Sequence, residues 1–367
     1  MCIKNILSQR QKLKKVSTIT NHDFSILQKQ LTSELSKPNT LSISLGDEIK
    51  VVQRIRSKTT TLNQNNITRT KAYLDFFKEH PEVHWALLAH MVSRNGGWNM
   101  TDLKGSLIGP LLSNELVNLY FECLERANAL IFNDAYPQLL LYAESKITGT
   151  NLFHLLPNLS VSKFMEPIWN YFLKTNNSHL LTVALIINEQ QYIQGRVIDH
   201  PKYREEVFNS ILFKAQEKLG FTEVFFPYKQ KKRIELAGLT IQHFQDVYSR
   251  ITIGKRLYGI LFQQIHKQAL SFATKHPHTG SREDFWPTIF SSSEVSEASK
   301  RIYSPFLVKA WKDYPHQFTD NYDWFNDYQT IQLLTDFEIP TIFRITSDYK
   351  SDIQKLQYIN DLSSIIN

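Results

Sequence analysis

Apolar residues recur at intervals of three and four along most of the chain after residue 67, whereas strict alternation of apolar and polar residues is nearly absent. The first pattern is typical of helices that bury one face, and the second of strands. Helices are expected at Thr68–Lys78, Pro81–Asn95, Leu111–Phe132, Pro137–Lys146, Val161–Lys174, Ser178–Ile193, Pro201–Leu219, Glu235–Ser249, Gly254–Thr274, Glu294–Lys312 and Ser351–Ile366. Gly96, just past an expected helix end, occupies a position that glycine favours. The pattern predicts an all-α fold with one large multi-helix domain.

Composition supports a globular helical chain. Of 367 residues, 12 are glycine and 13 are proline, about 3.3% and 3.5%, against average usage near 7% and 5%. Hydrophobic residues make up 42% and charged residues 21%, which excludes an intrinsically disordered or fibrous protein. No apolar stretch approaches the roughly 18 residues of a membrane-spanning helix, so a transmembrane protein is not expected.

Positive charge is concentrated near the N-terminus. Residues 1–60 contain 11 lysines and arginines against 4 aspartates and glutamates, and this balance of +7 equals the charge of the whole chain. Apolar residues between Ile3 and Val16 recur at helical spacing, and the polar stretch Thr59–Asn66 follows later. We predict a basic N-terminal helical arm over residues 1–60 and an all-helical body over residues 61–367. Such an arm either contacts an acidic membrane surface or partner, or is an ordinary docking segment.

Sequence motifs for cofactors and metals are lacking. His80, Glu82 and His84 lie close together but do not have the HExxH order of a zinc site, so neither a metal nor a cofactor is expected. Cys2 and Cys123 cannot form a disulfide framework, and the N-terminal segment does not resemble a secretory leader. These features predict a cytoplasmic location.

The segment His84–Gly105 contains the strongest candidate site. Residues 85–92 are apolar except for His90, which predicts a central buried helix. The end of this helix places Arg94 and Asn95 at the edge of the core, and Trp98 is expected to pack back after two glycines.

A buried guanidinium requires an anionic partner, because an unpaired charge removed from water costs several kcal/mol. For Arg94, the structural candidates are Asp102, Glu82 and Glu125. The functional alternative is a phosphate or carboxylate ligand, with His90 one helical turn earlier.

Four segments resemble a bacillus-type family of uncharacterised proteins, the YppC-like family: Asn66–Tyr73 (NITRTKAY), His84–Gly105, Asn188–Ile198 (NEQQYIQGRVI) and His278–Pro287 (HTGSREDFWP). The resemblance extends from about residue 60 into the 300s and does not include the arm. It implies a cytoplasmic bacterial protein. It implies no activity, because the family has no assigned reaction.

Two further clusters of polar residues are candidates for ligand binding. Glu189, Tyr192 and Arg196 share one helical stripe, where they either contact a ligand or satisfy a structural network. Arg282 and Asp284 lie on a constrained loop, which is either functional or a turn that caps the following helix.

We interpret the chain as a binding or regulatory protein with a polar pocket. Its candidate ligand-binding residues are Arg69, Arg94, Asn95, Trp98, Asp102, Glu189, Tyr192, Arg196, Arg282 and Asp284. At least two of the segments around Arg69, Arg94, Glu189 and Asp284 are expected to share a cavity with Trp98 or Tyr192 in its wall. The alternative is a metal-independent enzyme acting on an anionic small molecule, in which arginines neutralise the substrate and His84 or His90 transfers protons.

Overall fold

The computed structural model describes residues 13–37, 46–209, 223–294, 301–318 and 322–366. These residues form a mostly helical structure with three small two-stranded sheets. The expectation of a mainly helical chain is confirmed, whereas the all-α class is too narrow because of the sheets. Within the described part of the chain, no helix is both long and apolar enough to cross a membrane.

The longer helices are α1 (Asn21–Leu35), α2 (Gly46–Leu62), α3 (Asn66–Glu79), α4 (His84–Asp102), α5 (Asn114–Thr148), α6 (Met165–Thr175), α7 (Ser178–Ile193), α8 (Val247–Ile260), α9 (His266–Lys275) and α10 (Thr346–Ile366). Side-chain caps define several starts, because an oxygen there accepts from an otherwise unpaired backbone N–H. Asn65 caps α3, Asn177 caps α7 and Asp246 caps α8.

Helices α4 and α7 form the centre of the molecule, and α3, α5 and α8 pack around them. Trp85 and Leu87 in α4, and Leu185 in α7, are almost completely buried. The prediction that α4 ends before Gly96 is wrong, since the helix continues to Asp102. Gly97 remains inside it because the side chains of Asn66 and His278 occupy the space that a Cβ atom would fill.

Helix α5 is continuous through Pro137, so the expected break between Phe132 and Pro137 is also wrong. Proline inside a helix costs about 3 kcal/mol. Burial of Phe132, Leu139 and Leu141, all fully inaccessible, offsets that cost.

Strands β2 (Glu223–Gln230) and β3 (Arg233–Thr240) form an antiparallel hairpin in which Phe226 pairs with Ala237. The helix expected over Glu235–Ser249 is therefore wrong at residues 235–240. Aromatic residues in β2 and the alternation of Ile234 and Leu236 favour strands here. Strands β4 (Phe290–Ser291) and β5 (Ile302–Tyr303) form a short parallel pair.

The other sheet joins distant parts of the chain, because β1 (Leu13–Ser17) pairs antiparallel with β6 (Asp336–Pro340). Residues 13–16 are thus a strand and not part of a basic helix, and residues 1–12 lie outside the described residues. Helix α2 runs across the expected boundary at residue 60 and packs on α5. The division of the chain into residues 1–60 and 61–367 stays a prediction.

Two expected helices fall partly outside the described residues. In the range Pro201–Leu219, helical structure covers residues 201–208, and residues 210–219 are not described. In the range Glu294–Lys312, residues 295–300 are not described, and the remainder contains β5 and one helical turn at Leu307–Ala310.

Candidate functional site

A cavity of about 290 Å³ lies between helices α4, α5, α7 and α8 and the start of strand β2. Its wall consists mainly of aliphatic and aromatic side chains, including Tyr73, Trp85, Leu88, Val92, Tyr120, Leu124, Ile131, Ile193 and Leu257. Small-molecule sites commonly have volumes of about 300–1,000 Å³, so this cavity fits a small ligand.

Glu189 of α7 places a carboxyl group in this apolar wall. Its Oε2 accepts a hydrogen bond from Trp85 Nε1 at 3.2 Å, and its Oε1 accepts one from Gln190 Nε2 at 3.2 Å. Both donors are uncharged. Burial raises the pKa of Glu189 to about 8, so this carboxyl group is mostly protonated at pH 7.

Glu223, the first residue of β2, supplies a second carboxyl group to the wall and is 8% exposed. Within the described residues, its side chain has neither a hydrogen-bond partner nor an ion pair. Burial and the neighbouring Asp352 raise the pKa of Glu223 to about 8, although Arg282 acts in the opposite direction. Glu223 is therefore a mostly buried acid that makes no hydrogen bond to another described residue.

Arg250 of α8 also contacts the cavity and is 5% exposed. Its guanidinium donates to Gln190 Oε1 at 2.9 Å, to the Phe244 carbonyl at 2.7 Å and to Gln194 Oε1. Burial lowers its pKa to about 10, so Arg250 remains charged at neutral pH. Its hydrogen bonds hold the guanidinium against uncharged oxygens of the wall.

Two of the ten predicted ligand-binding residues, Asn95 and Glu189, lie in this cavity wall. Asn95 also holds α4 against β2, because its Nδ2 donates to the Phe225 carbonyl at 2.6 Å and its Oδ1 accepts from the Phe225 N–H at 3.0 Å. The other eight residues lie elsewhere in the structure.

Arg94, Trp98 and Asp284 lie together in a packed cluster outside the cavity wall. Arg94 Nη2 lies 3.7 Å from Asp284 Oδ2, and Trp98 Nε1 donates to the same oxygen at 3.4 Å. Arg94 Nη1 donates to the His276 carbonyl at 2.8 Å. Burial lowers the pKa of Arg94 to about 10. The anionic partner of Arg94 is thus a carboxylate from the loop after α9.

Asp102 and Arg282 form a second buried ion pair. Arg282 Nε lies 2.9 Å from both carboxylate oxygens of Asp102, and Arg282 Nη2 donates to Oδ2 as well. This bidentate ion pair connects the end of α4 to the loop after α9. Each charge compensates the other, which offsets the cost of removing both from water.

The remaining predicted residues lie in two further networks. Arg69 pairs with the buried Glu125 at 2.5 Å. The Arg196 guanidinium lies 3.9 Å from the ring centroid of Tyr192 and donates to the Tyr322 carbonyl at 2.6 Å. These contacts connect elements of the fold to one another.

The two histidines proposed as proton carriers also lie outside the cavity wall. His84 Nδ1 is 2.9 Å from the Tyr258 hydroxyl, and His179 Nδ1 is 2.7 Å from the same oxygen. Burial, together with His179, lowers the pKa of His84 to about 4. His90 Nδ1 donates to the Thr70 carbonyl at 2.8 Å, and burial keeps the pKa of His90 well below its usual value. Both imidazoles are neutral at pH 7.

Sequence reasoning missed Glu223 and Arg250. Glu223 precedes the apolar run Val224–Tyr228, and a carboxylate beside such a run is a weak signal of a buried acid. Arg250 lies among Val247, Ile251 and Leu257 in a helical pattern, where a partly buried arginine is compatible with many structural roles.

The structure defines a mostly helical protein with a cavity between its central helices. The chain belongs to the family described as protein of unknown function (DUF2515), whose model matches residues 61–349. It is similar to the uncharacterized protein YppC of Bacillus subtilis (strain 168), with 38% identity over 302 residues, which is 82% of this chain and 91% of that protein. The resemblance inferred from the four sequence segments is confirmed. No solved structure matches the chain.

Proposed function

We propose that this protein binds a small, mainly apolar molecule in the central cavity and acts as a binding or regulatory protein. The observation that carries this proposal is the cavity of about 290 Å³ with a largely apolar wall. A ligand whose apolar surface packs against this wall is removed from water, which is favourable by roughly 25 cal/mol per Å² of apolar surface buried.

The enzyme alternative has less support from the arrangement of its candidate residues. Arg94 and Arg282 face protein carboxylates, and His84 and His90 lie outside the cavity wall. A catalytic group must reach the substrate directly or through one water molecule. The cavity therefore favours binding over catalysis by those residues.

A cavity-filling substitution tests the proposal. We expect Val92→Phe to weaken binding of the neutral probe 1-hexanol by about tenfold or more, equivalent to about 1.4 kcal/mol, because the larger ring occupies the probe's space. Val92 is 36% exposed and lines the cavity. Titration calorimetry on the full chain measures the affinity.

Val308→Phe is the matched control, since Val308 is 63% exposed and lies outside the cavity wall. It should leave hexanol binding unchanged. Absence of hexanol binding by the unsubstituted protein, or equal binding by the Val92→Phe variant, would contradict the proposed function.

We also propose a cytoplasmic location and contact of the basic residues 1–60 with an acidic membrane surface or partner. The excess of 11 basic over 4 acidic residues supports this contact. We expect the full chain to sediment with vesicles containing about 30% phosphatidylserine at low salt and to dissociate at about 0.5 M salt, because salt screens surface charge. Equal sedimentation with uncharged phosphatidylcholine vesicles would argue against an electrostatic contact.

A further inference from the structure

We propose that the central cavity takes a molecule with an apolar body and a basic amine, whose ammonium group contacts the carboxyl group of Glu223. This inference rests on the proposed function and specifies the ligand class. The cavity wall contains two carboxyl groups, that of the buried Glu223 and that of the half-buried Glu189, among mainly apolar side chains.

Glu223 is a carboxyl group that a ligand in the cavity can reach. Its side chain is 8% exposed, lines the cavity and makes no hydrogen bond to another described residue. Its oxygens can therefore accept from a ligand N–H group, and a charged donor makes the stronger hydrogen bond.

The surroundings of Glu189 also favour a positively charged ligand group over a negative one. Glu189 accepts hydrogen bonds from the uncharged Trp85 and Gln190 side chains, so no protein cation neutralises it directly. Asp134 adds negative potential at Glu189. An ammonium group bound at Glu223 converts that one acid into a carboxylate and pairs with its charge, and no protein cation among the described residues at Glu189 repels it.

The charged groups around Glu223 belong chiefly to α10 and to the loop after α9. Asp348 and Asp352 favour its protonated form, whereas Arg282 and Lys355 oppose it. Arg282 is already engaged by Asp102. A cation supplied from the cavity therefore provides a direct partner that the surrounding protein does not.

Arg250 also lines the cavity, and its positive charge makes an anionic ligand the competing possibility. Its guanidinium already donates to Gln190, Phe244 and Gln194. An anion would have to share or displace those hydrogen bonds, whereas Glu223 makes no hydrogen bond to a described residue that a cation would have to displace. The geometry therefore favours a cationic head group.

Titration calorimetry with three probes of equal chain length distinguishes the possibilities: hexylamine, 1-hexanol and hexanoate. At pH 7, we expect hexylamine to bind about tenfold more tightly than 1-hexanol, because a charge-assisted hydrogen bond exceeds a neutral one. An alkylamine remains protonated there, as lysine does with its pKa near about 10.4.

Proton release provides a second readout. Burial and the neighbouring Asp352 raise the pKa of Glu223 to about 8, and a bound ammonium group lowers it. Binding at pH 7 therefore releases up to about one proton, measured as a dependence of the binding enthalpy on the ionisation enthalpy of the buffer. The affinity for hexylamine should increase from pH 6 to about pH 8 and then level off.

Glu223→Gln should abolish the preference for hexylamine over 1-hexanol and the proton release, while 1-hexanol still binds. Glu235→Gln, which removes a carboxyl group of β3 outside the cavity wall, is the matched control and should retain both effects.

Equal affinities of the unsubstituted protein for hexylamine and 1-hexanol would overturn the amine inference and leave the proposed function intact. Tighter binding of hexanoate that is lost in Arg250→Gln would likewise overturn it in favour of an anion. Failure of all three probes would overturn both proposals.

Discussion

Replacing Gly97 with alanine is expected to destabilise the protein by about 3 kcal/mol or more, because overpacking and a broken buried hydrogen bond act together. An added Cβ atom would lie 2.3 Å from His278 Nε2 and 2.4 Å from Asn66 Oδ1. These two atoms are themselves 2.8 Å apart and hydrogen-bonded. The new methyl group would therefore separate them.

Neither neighbour is free to withdraw. Asn66 is fully buried and donates to the Ser93 carbonyl at 2.9 Å. His278 Nδ1 lies 3.4 Å from Asp284 Oδ2 on its other side. The substitution consequently disturbs a network that connects α3, α4 and the loop after α9.

Urea denaturation of the Gly97→Ala variant measures this loss. Gly195→Ala is the control, because nothing lies within 4 Å of its added Cβ atom. Alanine at that position should be neutral or stabilising by up to about 1 kcal/mol, since it restricts the unfolded chain. A Gly97→Ala variant with the stability of the unsubstituted protein would show that the helices separate easily here.

Replacing Asp102 with alanine is expected to reduce the free energy of unfolding by about 3–5 kcal/mol, because it leaves the Arg282 guanidinium buried without its carboxylate. The side chains of Asp102 and Arg282 are 5% and 7% exposed. Chemical denaturation monitored by circular dichroism gives the change in stability.

The double variant Asp102→Leu with Arg282→Met should recover much of that loss, since an apolar pair avoids the desolvation of two charges. Asp75→Ala is a matched control for an exposed pair, because Lys71 and Asp75 have side-chain exposures of 74% and 46%. It should change stability by about 1 kcal/mol at most. Similar losses in Asp102→Ala and Asp75→Ala would contradict the distinction between buried and exposed pairs.

The sequence predicts an element correctly where the spacing of its apolar residues matches the surface that the folded element buries. Helix α7 occupies the predicted range Ser178–Ile193, because the capping residue Asn177 precedes a run from Leu180 to Ile187 that is apolar apart from Thr182. The end of α4 could not be predicted in this way. Gly97 resembles a helix stop locally, and only the approach of His278 from the distant loop explains a glycine inside the helix.

The sequence predicted that buried Arg94 has a carboxylate partner, but it did not predict which carboxylate. Asp102 and Glu125 were candidate partners of Arg94, but Asp102 pairs with Arg282 and Glu125 with Arg69. The requirement for a carboxylate follows from the desolvation of charge, whereas the choice among carboxylates depends on helix orientation. The cavity could not be predicted, because it is a space left between elements far apart in sequence.

The sheet formed by β1 and β6 cannot be completed until late in the synthesis of the chain. Residues 13–17 cannot form their ladder until residues 336–340 have been translated, about 319 residues later. At about 5–20 residues per second, the N-terminal strand remains without that partner for roughly 16–64 s. An unpaired strand edge is prone to intermolecular pairing, and charged residues such as Lys14 and Lys15 oppose it. Once β6 has been made, Lys15 forms an ion pair with Asp336 at 2.7 Å across the completed sheet.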